Sequence, residues 1–115
     1  WRDYKTASGR SPFKEFLDAL SDADMAEIYG ALKDVAEEGL RAARHLRGDI
    51  YEVRVDGENQ AFRILFAPEG RFGQIFLALH AFSKKTQKTP PRFIDLAEQR
   101  LSDWRQRGRM RQSKG

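Results

Sequence analysis

Three strand-like runs follow one another between residues 50 and 82, and they constrain the fold more than any other feature. Ile50 to Val55, Ala61 to Ala67 and Phe72 to Phe82 are rich in β-branched and aromatic residues. The segments between them, Asp56-Gly57-Glu58-Asn59 and Pro68-Glu69-Gly70, carry the turn residues expected between antiparallel neighbours. A meander is the simplest topology for such a series. Its apolar face must be covered.

Helices supply the cover. Ser11 followed by Pro12 reads as an N-cap with proline at the first helical position, and Phe13, Phe16, Leu17 and Leu20 then share one face. Ser21 or Asp22 caps a second helix whose stripe is Met25, Ile28, Tyr29, Leu32, Val35 and Ala36, ended by Gly39. Thr89 reads as the cap of a third helix, with Pro90 at its first position and Ile94, Ala97, Leu101 and Trp104 on its buried side. Trp1 to Lys5 alternate weakly and suit an edge strand, with a turn at Ser8-Gly9-Arg10. The expected class is α+β: a small antiparallel sheet of three to five strands packed against an N-terminal helical hairpin and a C-terminal helix. At 115 residues one domain suffices, placed at 1–107, with 108–115 expected to be a basic, disordered tail.

Charge is distributed unevenly. From Ser11 to Leu40 there are eight carboxylates against Lys14 and Lys33, whereas from Phe82 onward ten lysines and arginines face only Asp95, Glu98 and Asp103. A polyanion would be drawn to one side of such a molecule and repelled from the other, which makes nucleic acid the first partner to test. The absence of cysteine excludes a disulfide framework, a thiolate metal site and a cysteine nucleophile, and makes a reducing cytoplasm the natural expectation. Two histidines without HxxxH-like spacing give no basis for a metal, and no cofactor is expected. Trp1 to Arg10 carry no apolar signal core. The longest nearly uncharged run, Phe72 to Ser83, falls short of the roughly 20 residues that cross a bilayer, so no membrane partner is expected.

Strand parity selects candidate site residues, because alternate side chains point to opposite faces. Tyr51, Val53 and Val55 suit the core, leaving Glu52 and Arg54 on the other face. Phe62, Ile64 and Phe66 go inward, leaving Ala61, Arg63 and Leu65. In the third run Ile75, Leu77, Leu79 and Ala81 suit the core, which places His80 outward with Phe76, Ala78 and Phe82. Glu52, Arg54, Arg63 and His80 are therefore expected to converge. Ser83-Lys84-Lys85-Thr86-Gln87-Lys88-Thr89-Pro90 follows as a polar, basic loop where sheet and helix meet. Cutting RNA without a metal needs a base for the 2′-hydroxyl, cations for the crowded phosphate and an acid for the leaving oxygen. Arginine grips phosphate with a planar fork, while lysine is a movable charge that a neighbouring arginine makes easier to deprotonate. Arg63 and Glu52 alternatively form only a cross-strand pair, and lone histidines are more often structural. The connection from Arg41 to Asp49 offers Arg44 and Arg47, which together with Gln87 and Lys88 are candidates for RNA contact. His45 in the same stretch is a weaker candidate.

Read in order, Leu46-Arg47-Gly48-Asp49-Ile50-Tyr51-Glu52-Val53-Arg54, then Phe62-Arg63-Ile64-Leu65-Phe66, then Leu79 to Pro90, followed by a helix with Ala97 and Arg100, resemble the phage-derived Gp49-like, HigB-type branch of the RelE toxins. The likeness runs from about Ser11 to Trp104. It implies the toxin of a type II toxin–antitoxin system: a cytoplasmic endoribonuclease that cuts mRNA in the ribosomal A site and is neutralised by a helix-turn-helix, HigA-like antitoxin. Residue by residue, Arg63 matches the family's strand arginine at the scissile phosphate, Lys84 and Lys85 match the basic pair after the last strand, and Arg54 is a further member. Well-studied RelE toxins also use a lysine pair on the earlier strand, where this chain has Glu52 and Arg54, and a C-terminal tyrosine with no clear counterpart here. Glu52 or His80 is the candidate to fill that proton-transfer gap. Two other functions fit the same scaffold: a ParE-like toxin that poisons gyrase, and a non-catalytic RNA-binding domain.

Overall fold

The three runs form the middle three strands of a five-stranded sheet, with Arg2–Asp3 at one edge, beside the third run, and Arg44–Arg47 at the other, beside the first. The computed structural model describes residues 1–58, 60–83 and 88–114, the last four as backbone. Along the chain come β1 (Arg2–Asp3), α1 (Pro12–Asp18), α2 (Asp22–Glu38), a 3-10 turn (Gly39–Ala42), β2 (Arg44–Arg47), β3 (Ile50–Asp56), β4 (Ala61–Glu69), β5 (Ile75–Ser83) and α3 (Pro91–Lys114). Strands β3, β4 and β5 are the expected antiparallel meander. The sheet as a whole is mixed, because β1 runs parallel to β5 with Arg2 opposite Leu77. The Arg41–Asp49 stretch, read from the sequence as a helix-to-strand connection, contributes strand β2, which hairpins onto β3 through Gly48 at φ 55°.

Local chemistry sets the first two helices. Ser11 accepts from the Lys14 amide at 3.3 Å and Ser21 from the Asp24 amide at 3.2 Å, each satisfying a helix-end donor that would otherwise lack a partner. Gly39, at φ 78°, ends α2. Phe13 and Leu17 of α1 with Ile28, Leu32 and Val35 of α2 then pack on Val53, Val55, Phe62, Ile64 and Phe66 of the sheet. The Trp1 indole donates to the Leu32 carbonyl at 2.7 Å and fixes the start of the chain against the same hairpin. Asp24, nearly buried, accepts from the Glu58 amide at 3.1 Å and ties α2 to the β3–β4 turn.

Helix α3 covers the opposite face. Ala97 and Leu101 pack with Ile50, Leu65, Ala67, Leu77 and Leu79 in a second core, so the sheet lies between two helical layers. Inward and outward parity holds as expected on β3 and β4 but not along the whole of β5. Leu65 faces His80 while Phe66 faces Ala78, leaving Leu79 as an extra residue in a bulge. Consecutive residues Leu79 and His80 both turn toward α3, and Phe76 and Ala78 join the hairpin core, opposite to their expected placement.

The ends of α3 also depart from expectation. Pro91, not Pro90, is the first helical residue, and the Pro90 carbonyl accepts from Phe93 at 3.0 Å, so Thr89 does not cap the helix. At the other end the helix continues to Lys114 where a disordered tail was expected. Nothing in that stretch forces a stop, since arginine, glutamine and methionine favour helix and the single Gly108 costs only about 1 kcal/mol. Arg105 binds Glu69 at 2.9 Å and Asp49 at 3.0 Å, and Arg107 bonds the Lys5 carbonyl, which fastens about one further turn to the body. Among the described residues no helix is long and apolar enough to cross a membrane.

Candidate active site

The register of β2, β3, β4 and β5 brings two rows of side chains to the α3 face. Arg44, Glu52, Leu65 and His80 lie across from one another in one row, and Arg54, Arg63 and Phe82 in the next. Glu52 and Arg63 are 1% and 5% exposed, the deepest charged pair among the described residues. Arg63 Nη1 lies 3.4 and 3.5 Å from the two Glu52 oxygens, and Arg54 Nε donates to Oε1 at 2.9 Å. Thr89 completes the group: its hydroxyl donates to Glu52 Oε2 and accepts from Arg63 Nη1 at 3.3 Å. A buried carboxylate is thus surrounded by two guanidinium groups and one hydroxyl.

Burial alone would raise the Glu52 pKa. Donation from Thr89 and Arg54, with the positive charges of Arg63 and Arg54, outweighs that and holds the carboxyl below its ordinary value. Glu52 is therefore an anion at neutral pH with its oxygens occupied. That suits it to orient the arginines rather than to exchange a proton.

His80 sits deeper than its expected role requires. Its ring lies 4.7 Å from Phe93 and 5.4 Å from Phe82. Arg100 of α3 donates from Nη1 to the bulge carbonyl of Leu79 at 2.7 Å and lies 3.4 Å from His80 Nδ1. A guanidinium group can only donate, so Nδ1 is the acceptor and the neutral ring carries its proton on Nε2. Among the described residues that buried Nε2 has no hydrogen-bond partner. Burial, followed by the Arg100 charge, lowers the His80 pKa to about 4, away from the value near 6.5 that made it attractive.

The remaining candidates divide. Arg54 keeps 37% of its side chain exposed beside the buried pair, and Arg44 and Lys88 are exposed. Arg47 instead bridges β2 to α3, donating from Nε to Glu98 at 2.6 Å and pairing with Asp95, so two carboxylates offset its charge. His45 bonds the Gly48 carbonyl at 2.7 Å and supports the β2–β3 hairpin. Lys84, Lys85 and Gln87 lie outside the described residues. The chain nevertheless enters and leaves that segment next to Arg63, since Phe82 is its partner across the strands and Thr89 its hydrogen-bond acceptor. No cluster of three potential metal ligands occurs among the described residues. Thr89 was missed as a site residue because a threonine before Pro-Pro reads as a helix cap. Arg100 entered only through the family likeness, since nothing in the sequence discloses a bulge carbonyl.

A family model described as Phage derived protein Gp49-like (DUF891) matches residues 15–102. In two strains of Mycobacterium tuberculosis, a curated protein named probable endoribonuclease HigB1 is 35% identical over 108 residues, covering 91% of this chain and 84% of the relative.

Proposed function

This chain belongs to the phage-derived Gp49-like family, in its HigB-type branch, and from that premise we propose that it is the toxin of a toxin–antitoxin pair that cuts mRNA on the ribosome and so halts translation. The observation that carries the proposal is the grouping of Arg54 and Arg63 around Glu52 at the point where the chain enters and leaves the Lys84–Lys85 segment. The cytoplasm is its place of action and a helix-turn-helix antitoxin its partner.

In the proposed reaction the 2′-oxygen attacks the adjacent phosphorus, the bond from phosphorus to the 5′-oxygen breaks, and a 2′,3′-cyclic phosphate remains. Negative charge builds on the phosphate oxygens as the pentavalent state forms. Arg54, partly open to solvent, supplies a fork of donors to those oxygens, with Arg63 held beneath it as a fixed charge. Glu52 keeps both guanidinium groups in place. Lys84 and Lys85 take the proton-transfer roles, since Glu52 stays ionised and burial with the Arg100 charge keeps the His80 ring neutral and weakly basic. Lys88 and Arg44 extend the cationic surface toward the RNA, with Gln87 as a further candidate for RNA contact. Arg47, bound to Asp95 and Glu98, contributes less to RNA than its charge suggested.

The test pairs induction in cells with cleavage in a purified translation system. Wild type should stop growth and cut ribosome-bound message, whereas Arg54→Ala and Arg63→Ala should express freely and cleave roughly 100-fold more slowly, the usual loss for one charge-stabilising donor. Equal growth of wild type and Arg63→Ala, or inhibition of gyrase supercoiling with message left intact, would overturn it.

A further inference from the structure

A second cationic cleft lies where β1 and the residues after it run beside α3. It measures about 500 Å3 and is lined by Arg2, Asp3, Lys5, Trp104, Arg107 and Gly108. That volume is ample for a small organic group. Arg2 stands opposite Leu77 of β5 and Arg63 opposite Phe82, which separates the cleft from the buried pair by roughly 15 Å along the strands.

The lining suits a nucleotide. Its one carboxylate, Asp3, accepts from the Ser11 hydroxyl at 3.3 Å and is engaged with the helical hairpin. Arg2 and Lys5 are exposed, and among the described residues neither side chain forms an ion pair or a hydrogen bond. Arg107 is held in place: it bonds Asp103 at 2.8 Å and the Lys5 carbonyl, and it lies over the Tyr4 ring. Trp104, half-buried against the second core, borders the cleft with its indole. An aromatic ring flanked by cations is the arrangement that holds single strands without regard to sequence, the base stacking on the ring while the cations meet the backbone.

We propose that this cleft holds one nucleotide of a single-stranded RNA, its base stacked on Trp104 and its flanking phosphates met by Arg2 and Lys5, a few nucleotides of strand from the point of scission. The choice of RNA and the place of scission rest on the nuclease reading above. The cleft itself does not. Arg107 also fastens α3, so Trp104, Arg2 and Lys5 are the residues that test it.

The probe is a short single-stranded 2′-O-methyl RNA, which lacks the attacking 2′-hydroxyl, so that binding is read apart from cleavage. Stacking should quench indole emission as the oligomer is added. The quench should vanish in Trp104→Phe, because Trp1 packs with the hairpin core and donates to the Leu32 carbonyl. The affinity of that variant, read by anisotropy of a labelled oligomer, should stay near wild type. Trp104→Leu should bind roughly 10- to 100-fold more weakly, the loss of one base stacked on an aromatic ring. Arg2→Gln combined with Lys5→Gln should make the slope of log affinity against log salt shallower by about 1.4, the share of two single-strand phosphate contacts. Thermal unfolding shows which variants are folded, and if Trp104→Leu is not, the Trp104→Phe quench and the salt slope decide alone. Equal affinity of Trp104→Leu and wild type, a quench that persists in Trp104→Phe, or an unchanged salt slope would each overturn the nucleotide site. Wild type that shows all three effects yet leaves message uncut would sink the nuclease reading and keep the cleft. Wild type that cuts message without them would sink the cleft alone.

Discussion

Arg63 meets Glu52 through a single nitrogen, Nη1, placed almost equally from both carboxylate oxygens at 3.4 and 3.5 Å, and neither side chain has appreciable contact with solvent. The contact is long for a charge-assisted hydrogen bond, so it acts mainly as a buried pairing of charges. Glu52→Ala should destabilise the protein by about 3–5 kcal/mol in urea unfolding, because two arginines lose the anion that accompanies them. Glu52→Leu combined with Arg63→Leu should recover much of that loss, since replacing both buried charges with apolar groups is often neutral or better. An additive double variant would show that the pair is not coupled.

Protonation links the same face to pH. His80 has a folded pKa of about 4 against an ordinary value of 6.5, so between those values the unfolded chain binds the proton that the folded protein refuses. Stability should therefore fall as pH drops from about 6.5 toward 4, with a slope of at most about 1.4 kcal/mol per unit for one proton, reduced where solvent reaches the ring. Glu52 adds to this lower down: its folded pKa lies below 4.5, so its contribution is complete above 4.5 and is lost as pH falls further. Urea midpoints at pH 7, 6 and 5 should decline for wild type, and His80→Gln should flatten that decline. Arg100→Met should raise the His80 pKa by removing one of the two causes of its depression, a change visible in the ring's proton resonances.

What was legible in the sequence follows from how local the controlling physics is. Ser11, Ser21 and Gly39 act within one turn of helix, and all three do as their chemistry predicts. Alternation placed Glu52, Arg54, Arg63 and His80 on one face because the period of two holds along β3, β4 and the last part of β5. It failed at Phe76 to Leu79, where one extra residue reverses the parity. Every residue in that stretch is apolar or small, so no polar position marks the slip. Strand β2 was hidden for a different reason: Arg44-His45-Leu46-Arg47 is polar on both faces, and only Asp95 and Glu98 from the far end of the chain account for Arg47. The pKa of His80 was equally out of reach, since Arg100 and Phe93 come from α3.

The β3–β4 turn gives a sharp test of the helical hairpin's docking. A Cβ added at Gly57 would sit 2.6 Å from Asp24 Oδ1, 2.7 Å from the Phe62 ring and 2.8 Å from the Gln60 carbonyl. None of the three can withdraw easily. Asp24 is nearly buried and holds the Glu58 amide, Phe62 is in the core, and the Gln60 carbonyl already accepts from the Gly57 amide at 2.9 Å. Gly57→Ala should cost about 1–3 kcal/mol, as overpacking does, measured by urea or thermal unfolding. An unchanged midpoint would mean that the turn and α2 separate freely.

The last prediction concerns the end of α3. Up to Arg107 the helix is fastened: Arg105 grips Glu69 through two nitrogens, and Arg107 bonds Asp103 and the Lys5 carbonyl. Tyr4 donates to Asp103 at 2.6 Å, so the same carboxylate also anchors the start of the chain. Beyond that point Gly108 meets nothing within 4 Å of where a Cβ would lie, and Met110 is 59% exposed. A chain ending after Gly108 should therefore unfold within a few tenths of a kcal/mol of wild type, since surface positions contribute little. Ending it after Trp104 removes the Arg105 and Arg107 bonds together and should lower stability by about 1–3 kcal/mol, the range for charge-assisted hydrogen bonds with good geometry. If the shorter chain is as stable as the longer one, those arginines are solvated ornaments of the helix and the body ends at Trp104. If removing 109–115 already destabilises it, the division between folded domain and basic tail falls later in the chain than the contacts imply.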